Sequence, residues 1–261
     1  MTLVKHELRL GRMAFLIWSG AIGILMVACI FLFPEMKGEM DSISDAFSSM
    51  GAFSQAFGMD QLDFGSFLGY YAIECGNVLG LGGAFFAALT AAGALSKEEN
   101  EGTAEFLMTH PVSRAWIVAQ KLLAVIFQIT ALSLTIYVLC LGVIAAIGET
   151  IPWKEITLLH LSYFLLQLHL AGICFAVSAF MRKGSVGAGL GIAIMMYFLN
   201  LISKITEIAE FLKYFTPFSY TDGATIVTEG TLDIGLVFLG MIVCICCCAM
   251  AFWKYCRKDL H

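Results

Sequence analysis

Charge is what this chain has least of. Asp, Glu, Lys and Arg together make up 13% of 261 residues, about half the share in a soluble globular domain. With 59% of residues in the AVILMFWYC set and a mean hydropathy of +0.85, the composition excludes a water-soluble fold. The net charge of −5 says little by itself, because the placement of the charges carries the information. Proline is scarce too: the four, at 34, 111, 152 and 217, avoid the interiors of the long apolar runs, where a missing N–H would break a helix. No G-x-x-x-x-G-K-[ST] segment occurs, so the chain has no loop to cradle nucleotide phosphates. HELRL at 6–10 is not H-E-x-x-H, because Leu10 stands where the second histidine belongs. His160 and His169, nine apart on one apolar run, share no face. Neither metalloprotease chemistry, a resident metal or cofactor, nor a nucleic-acid partner is expected.

Cysteine is plentiful, at nine, but eight lie in apolar runs (Cys29, Cys75, Cys140, Cys174, Cys244, Cys246, Cys247, Cys248) and only Cys256 sits among polar residues. No disulfide framework follows. The CICCC run at 244–248 looks like a metal tract by composition, but consecutive helical thiols point around the axis rather than at one ion. It reads as small apolar packing.

What is present is a set of six apolar segments, about 13–33, 68–95, 117–148, 157–181, 186–203 and 232–253. Each reaches the roughly 17–25 residues needed to cross a bilayer. The first is too long for a signal-peptide core and is expected to be retained. The fold expected is therefore an all-α integral membrane protein, a single domain over 1–261 with six transmembrane helices. If the N-terminus is cytoplasmic, eleven Lys and Arg fall in inside segments and four (Lys37, Lys154, Lys204, Lys213) outside. The positive-inside rule then places both termini in the cytoplasm. Residues 2–12, with Leu3 and Leu10 on one face and Lys5, Arg9 and Arg12 as headgroup contacts, suit an elbow helix on the membrane surface. On the outer side, 34–67 reads as amphipathic pieces. Residues 204–231, with Ile205, Ile208, Leu212 and Phe215 at helical spacing, read as an interfacial or re-entrant helix broken at Pro217.

One stretch breaks the apolar pattern. KEENEGTAEFLMTHPVSR, Lys97 to Arg114, holds four glutamates and lies between spans two and three, on the cytoplasmic side by this topology. Gly102 permits a break, Thr103 can cap a short helix with Glu105 in its first turn, and Phe106, Leu107 and Met108 give it an apolar patch. Pro111 suits the first turn of the next helix. Such a short, punctuated knob is shaped to be held by another protein; the bland alternative is a solvated interhelical turn.

Glu98 to Leu123 resembles the signature of ABC-2 type transporter permeases, roughly E-x-x-x-G-T-x-E-x-L-L-x-x-P-[VI]-S-R followed by a helix bearing a lysine. Glu98, Gly102, Thr103, Glu105, Leu107, Pro111, Val112, Ser113, Arg114 and Lys121 match, and Met108 replaces the second leucine. The resemblance implies that the 97–114 loop is a coupling helix docking on a separate ATP-binding cassette subunit, through Glu98, Glu99, Glu101, Gly102, Thr103, Glu105, Phe106, Leu107, Pro111, Val112, Ser113 and Arg114. ATP and Mg would then sit on that partner, and none in this chain. It also implies a second permease half, as homodimer or with a similar permease, in a bacterial cell membrane, exporting a peptide, antibiotic or lipid-like molecule.

For a transport path or dimer seam the candidates are Glu74, Gly76, Gly80 and Asn200. Glu74 is the one acidic residue more than a turn inside a span, and a charge at mid-bilayer costs about 2.5–3.5 kcal/mol on insertion scales. Gly76 and Gly80 form a GxxxG pair continued by Ala84, Ala88 and Ala92, with Gly187 and Gly191 on span five. Such faces pack helices closely, within one subunit or across a dimer. Asn200, Gln128 and Gln167 read as helix-to-helix bonds. The readings from other classes are a non-transporting membrane partner such as an immunity protein, and a secondary transporter, which would need an internal repeat.

Overall fold

In the computed structural model of the chain, residues 2–37, 61–63, 65–97, 112–181 and 185–257 are described, together with positions 51, 54, 59 and 102. They form helices and turns, with no strand among the described residues. Six helices are long and apolar enough to cross a membrane. They are α1 (Thr2–Met36), α2 (Phe67–Ala92), α3 (Arg114–Ala146), α4 (Trp153–Phe180), α5 (Ser185–Ile205) and α7 (Ile234–Arg257). A short α6 (Gly223–Glu229) precedes α7. Helices are the outcome these sequences allow, since a backbone in hydrocarbon must satisfy its own N–H and C=O groups within the segment.

The boundaries have local causes. Ser113 caps α3 by accepting from the Trp116 N–H at 3.2 Å, and Asp222 caps α6 through the Thr225 N–H at 3.2 Å. Gly148, at φ +78°, takes the left-handed conformation just past the end of α3. Pro34 lies in the last turn of α1 instead of ending the helix, which runs on to Met36. There its missing N–H costs a single bond at an end that already frays. Within α2, residues Tyr71–Cys75 form one π turn, a bulge of the kind found at functional sites.

Two expectations need correction. No separate elbow helix exists at 2–12: α1 is continuous from Thr2 to Met36, with no proline at the expected joint and with Glu7 tied into the bundle. The 204–231 stretch is not one helix broken at Pro217. Ile205 ends α5, a 3-10 helix occupies Glu207–Phe215, and a second 3-10 turn at Ser219–Thr221 follows Pro217. Thr206, in extended backbone, separates the first two and caps the second through the Ala209 N–H.

The helix α4 is the hub. It packs against α2 and α7, while α1 packs on α3 and α5 on α2. Of its apolar window 67% is buried, against 6% for α7, whose residues are mostly half-buried or exposed at the edge of the bundle. The hub's polar groups are paired. His160 Nε2 lies 2.7 Å from the Tyr71 hydroxyl, and His169 Nδ1 lies 2.7 Å from the Tyr220 hydroxyl. Both histidines are thus buried pairing residues, each on a different helix contact.

Small residues set the approach of α2 to its neighbours. A Cβ on Gly76 would lie 2.5 Å from Tyr163 Oη, and one on Gly80 3.2 Å from Tyr163 Cε1. The GxxxG pair therefore seats a tyrosine of α4 inside the subunit. On α5, Gly189 meets α2, where its Cβ would lie 2.7 Å from Ala92 Cβ and 2.9 Å from the Ala88 carbonyl oxygen. Gly187 and Gly191 face open space. We expect Gly189→Val to destabilise the detergent-solubilised subunit by about 1–3 kcal/mol through overpacking, and Gly187→Val to leave it within about 0.5 kcal/mol. Thermal unfolding followed by circular dichroism measures both.

Candidate functional site

The bundle has two ends, and each holds a polar centre. At the end that carries both chain termini lies Lys121, two turns into α3 and 1% exposed. Its ammonium donates to Glu7 Oε1 at 3.1 Å and to the Ala94 carbonyl oxygen at 2.7 Å. Glu7 belongs to the start of α1, and Ala94 to the turn where the chain leaves α2 for the acidic segment. One buried cation thus ties together the beginning of α1, the exit of α2 and the entrance of α3. A buried charge is tolerated only when paired and hydrogen-bonded, and here a carboxylate and a carbonyl supply both.

The acidic segment hangs from this node. Glu98, Glu99, Glu101, Thr103, Glu105, Phe106, Leu107 and Pro111 lie outside the described residues. Of the remainder, Gly102 has φ +69°, the left-handed region that favours glycine. Val112 is exposed, Ser113 is the α3 cap, and Arg114 is the first residue of α3. Both ends of the segment are therefore placed: Lys97 just beyond α2 and Ser113 at the start of α3.

At the opposite end, a cavity of about 60 Å³ lies between α2, α4, α5 and α6. Gly76, Gly80 and Asn200 all line it, with Asn77, Tyr163, Lys204 and Asp222. Asn200 is 7% exposed, and its Oδ1 has no hydrogen-bond partner. A polar void of this size holds a few waters, and the bare acceptor calls for a donor. Glu74 does not join this group. It lies half-buried on the π turn and is not among the residues lining the cavity.

The Lys204–Asp222 ion pair closes one wall, joining the last turn of α5 to the cap of α6. Asp222 also accepts from the Thr225 hydroxyl at 2.8 Å. Burial pushes the Asp222 carboxyl up, but the charge and hydrogen bond of Lys204 and the two bonds from Thr225 outweigh it and hold the group below the usual aspartate range.

These observations describe a helical bundle with a buried lysine joining three helix ends on one side and a polar pocket on the other. A family model described as ABC-2 family transporter protein matches residues 1–260. The chain belongs to that family. No curated protein matches it.

In this ABC-2 family permease, then, sequence reasoning singled out Lys121 as part of the motif, and the structure places its side chain in the core. Glu7 was legible only as a member of HELRL, and no local signal marked it as the partner of a lysine 114 positions away. Lys204 was counted only as an outside charge and Asp222 was not singled out, although D-x-x-T at 222–225 is a recognisable capping pattern. Tyr163 carried no signal at all: its role comes from the glycines opposite.

Two outcomes are expected. Lys121→Met leaves Glu7 without its partner and should cost about 3–5 kcal/mol, with the double variant Glu7→Gln/Lys121→Met recovering part of the loss; unfolding in mixed micelles reads this directly. Asp222→Asn should cost about 1 kcal/mol at neutral pH through the weakened cap and lost pair. The sign follows from the lowered carboxyl. Its contribution is present above the unfolded-state pKa near 3.9 and disappears as pH falls through the lower folded value. The gap between wild type and Asp222→Asn should therefore close in acid.

Proposed function

We propose that the chain is the transmembrane permease subunit of an ATP-driven exporter in a bacterial cell membrane. The observation that carries this reading is the family match over essentially the whole chain. The charge distribution supports the orientation. Residues at the end with both termini and the 97–114 segment hold eleven Lys and Arg, and the other end holds four, so the former is cytoplasmic. The Lys37–Glu149 pair, at 3.1 Å, joins the ends of α1 and α3 on the other side. That side is then the exterior. The exposed Ile208, Phe211 and Phe215 of the 3-10 helix would rest in the outer headgroup region.

The function needs an engine elsewhere. ATP and Mg belong to a separate ATP-binding cassette subunit, which grips the 98–111 segment together with Val112, Ser113 and Arg114. A push on that segment reaches α2 and α3 at once, because its two ends are bridged by the Lys121 bond to Ala94, and it reaches α1 through Glu7. The clamp suits a coupling element, which must transmit force without stretching. A second permease half, identical or similar, completes the assembly. Cargo of the peptide, antibiotic or lipid-like kind leaves between the halves, from the cytoplasm or inner leaflet. The small cavity lined by Gly76, Gly80 and Asn200 lies beside that route, and Glu74, outside the cavity, belongs to the route or the seam between halves.

The test is purification of the complex from its native host. An ATPase subunit bearing a P-loop should co-purify, and replacing Glu98–Glu105 with a Gly/Ser linker should leave the permease folded yet abolish its effect on ATP turnover. An ATPase rate indifferent to that replacement removes the coupling role.

A further inference from the structure

A second void lies beside the Lys121 node. It measures about 400 Å³, a size typical of small-molecule sites, roughly 300–1,000 Å³. Its walls come from α1, α2 and α3 and the turn that follows α2, with Val186 of α5 at one side. Small residues open it: Gly11 and Ala14 on α1, Gly93 and Ala94 beyond α2, and Ala124 on α3. The lining is graded. Trp18, Phe86, Leu89 and Val125 make the part nearer the middle of the bundle mostly apolar, with Thr90 and Gln128 its polar members, whereas Glu7, Ser96, Lys97 and Lys121 gather at the terminal end. Among these, Lys121 and Glu7 neutralise each other at 3.1 Å, and Lys97 is the further cation among the described lining residues.

The position of this gradient matters. Glu7 and Lys97 flank the apolar runs of α1 and α2, so the polar end sits at headgroup depth and the apolar end in the acyl region. The void is continuous with lipid-facing surface, since Leu10, which lines it, is 49% exposed and its neighbours Met13 and Ile17 are exposed as well. On the far face of α1, Lys5, Arg9 and Arg12 are exposed, a basic strip that enriches anionic lipid around this end. A mostly apolar groove below the Lys97 ammonium complements one kind of molecule: a phospholipid with a negative headgroup.

We propose that the groove between α1, α2 and α3 binds one anionic phospholipid of the surrounding leaflet, with its phosphate at Lys97 and an acyl chain along Ala14, Trp18 and Phe86. The lipid fills the space beside the Lys121–Glu7 pair and keeps water from it, so the clamp on the 97–114 segment stays dry. This assignment needs only the membrane-embedded bundle and holds whether or not ATP coupling does.

Native mass spectrometry of the full-length chain in detergent, titrated with phosphatidylglycerol or phosphatidylcholine, tests it. One phosphatidylglycerol should be retained per chain, about fivefold more strongly than phosphatidylcholine, the selectivity expected of one interfacial cation. Lys97→Gln should erase the selectivity while some acyl binding persists, and Ala14→Trp, at an exposed position on the groove wall, should abolish the bound lipid. Should either variant misfold, the wild-type preference decides alone. Equal retention of the two lipids, binding unchanged in both variants, or a different amphiphile from the host membrane in the groove overturns the proposal.

Discussion

A bilayer interior offers no water to a stray backbone amide, so each crossing of this chain must be a complete helix, and helices that cannot be driven together by hydrophobicity must fit instead. The fit is made by missing side chains. Gly76 and Gly80 leave room for the ring of Tyr163, and Gly189 lets α5 lie directly on Ala88 and Ala92. Because α4 is gripped on one flank by α2 and on another by α7, these contacts define the bundle, and everything polar is arranged around them.

The polar groups follow a division by depth. Near the middle, buried histidines are satisfied by tyrosine hydroxyls at 2.7 Å from neighbouring elements. At the ends, full charges appear, and the deeply placed one is paired across sequence: Lys121 with Glu7. Lys204 and Asp222 repeat the device on the other side, fastening α5 to α6. Each pair stands where a helix end meets a connection, and both therefore control how connections sit relative to spans. Such joints are where stiffness would serve the coupling role proposed above. The wide void beside Lys121 and the small polar one beside Asn200 show that the stiffness is local: the packing around both joints is open.

The two chemistries at the ends differ in what they tolerate. A dry ion pair such as Lys121–Glu7 is costly to break from one side. The partly solvated Asp222 carboxyl is held by several modest interactions, including two from Thr225 on its own short helix. The first suits a permanent clamp and the second an adjustable one.

The linear sequence by itself determined the class of the fold, the number of spans and nearly all their limits, because length and apolarity of a segment are local quantities that lipid reads directly. It also carried the motif around Gly102 and Pro111 that points to the family. What lay beyond it were the relations between segments. That Gly76 and Gly80 receive Tyr163, that Asn200 shares their cavity while Glu74 stands apart, and that α1 runs straight through the expected elbow are matters of which faces meet. Glu7 finding Lys121 is the clearest instance: nothing local marks Glu7 as the partner of that lysine, and only the packing of α1 on α3 brings the two charges together away from bulk water, where their encounter would be worth little.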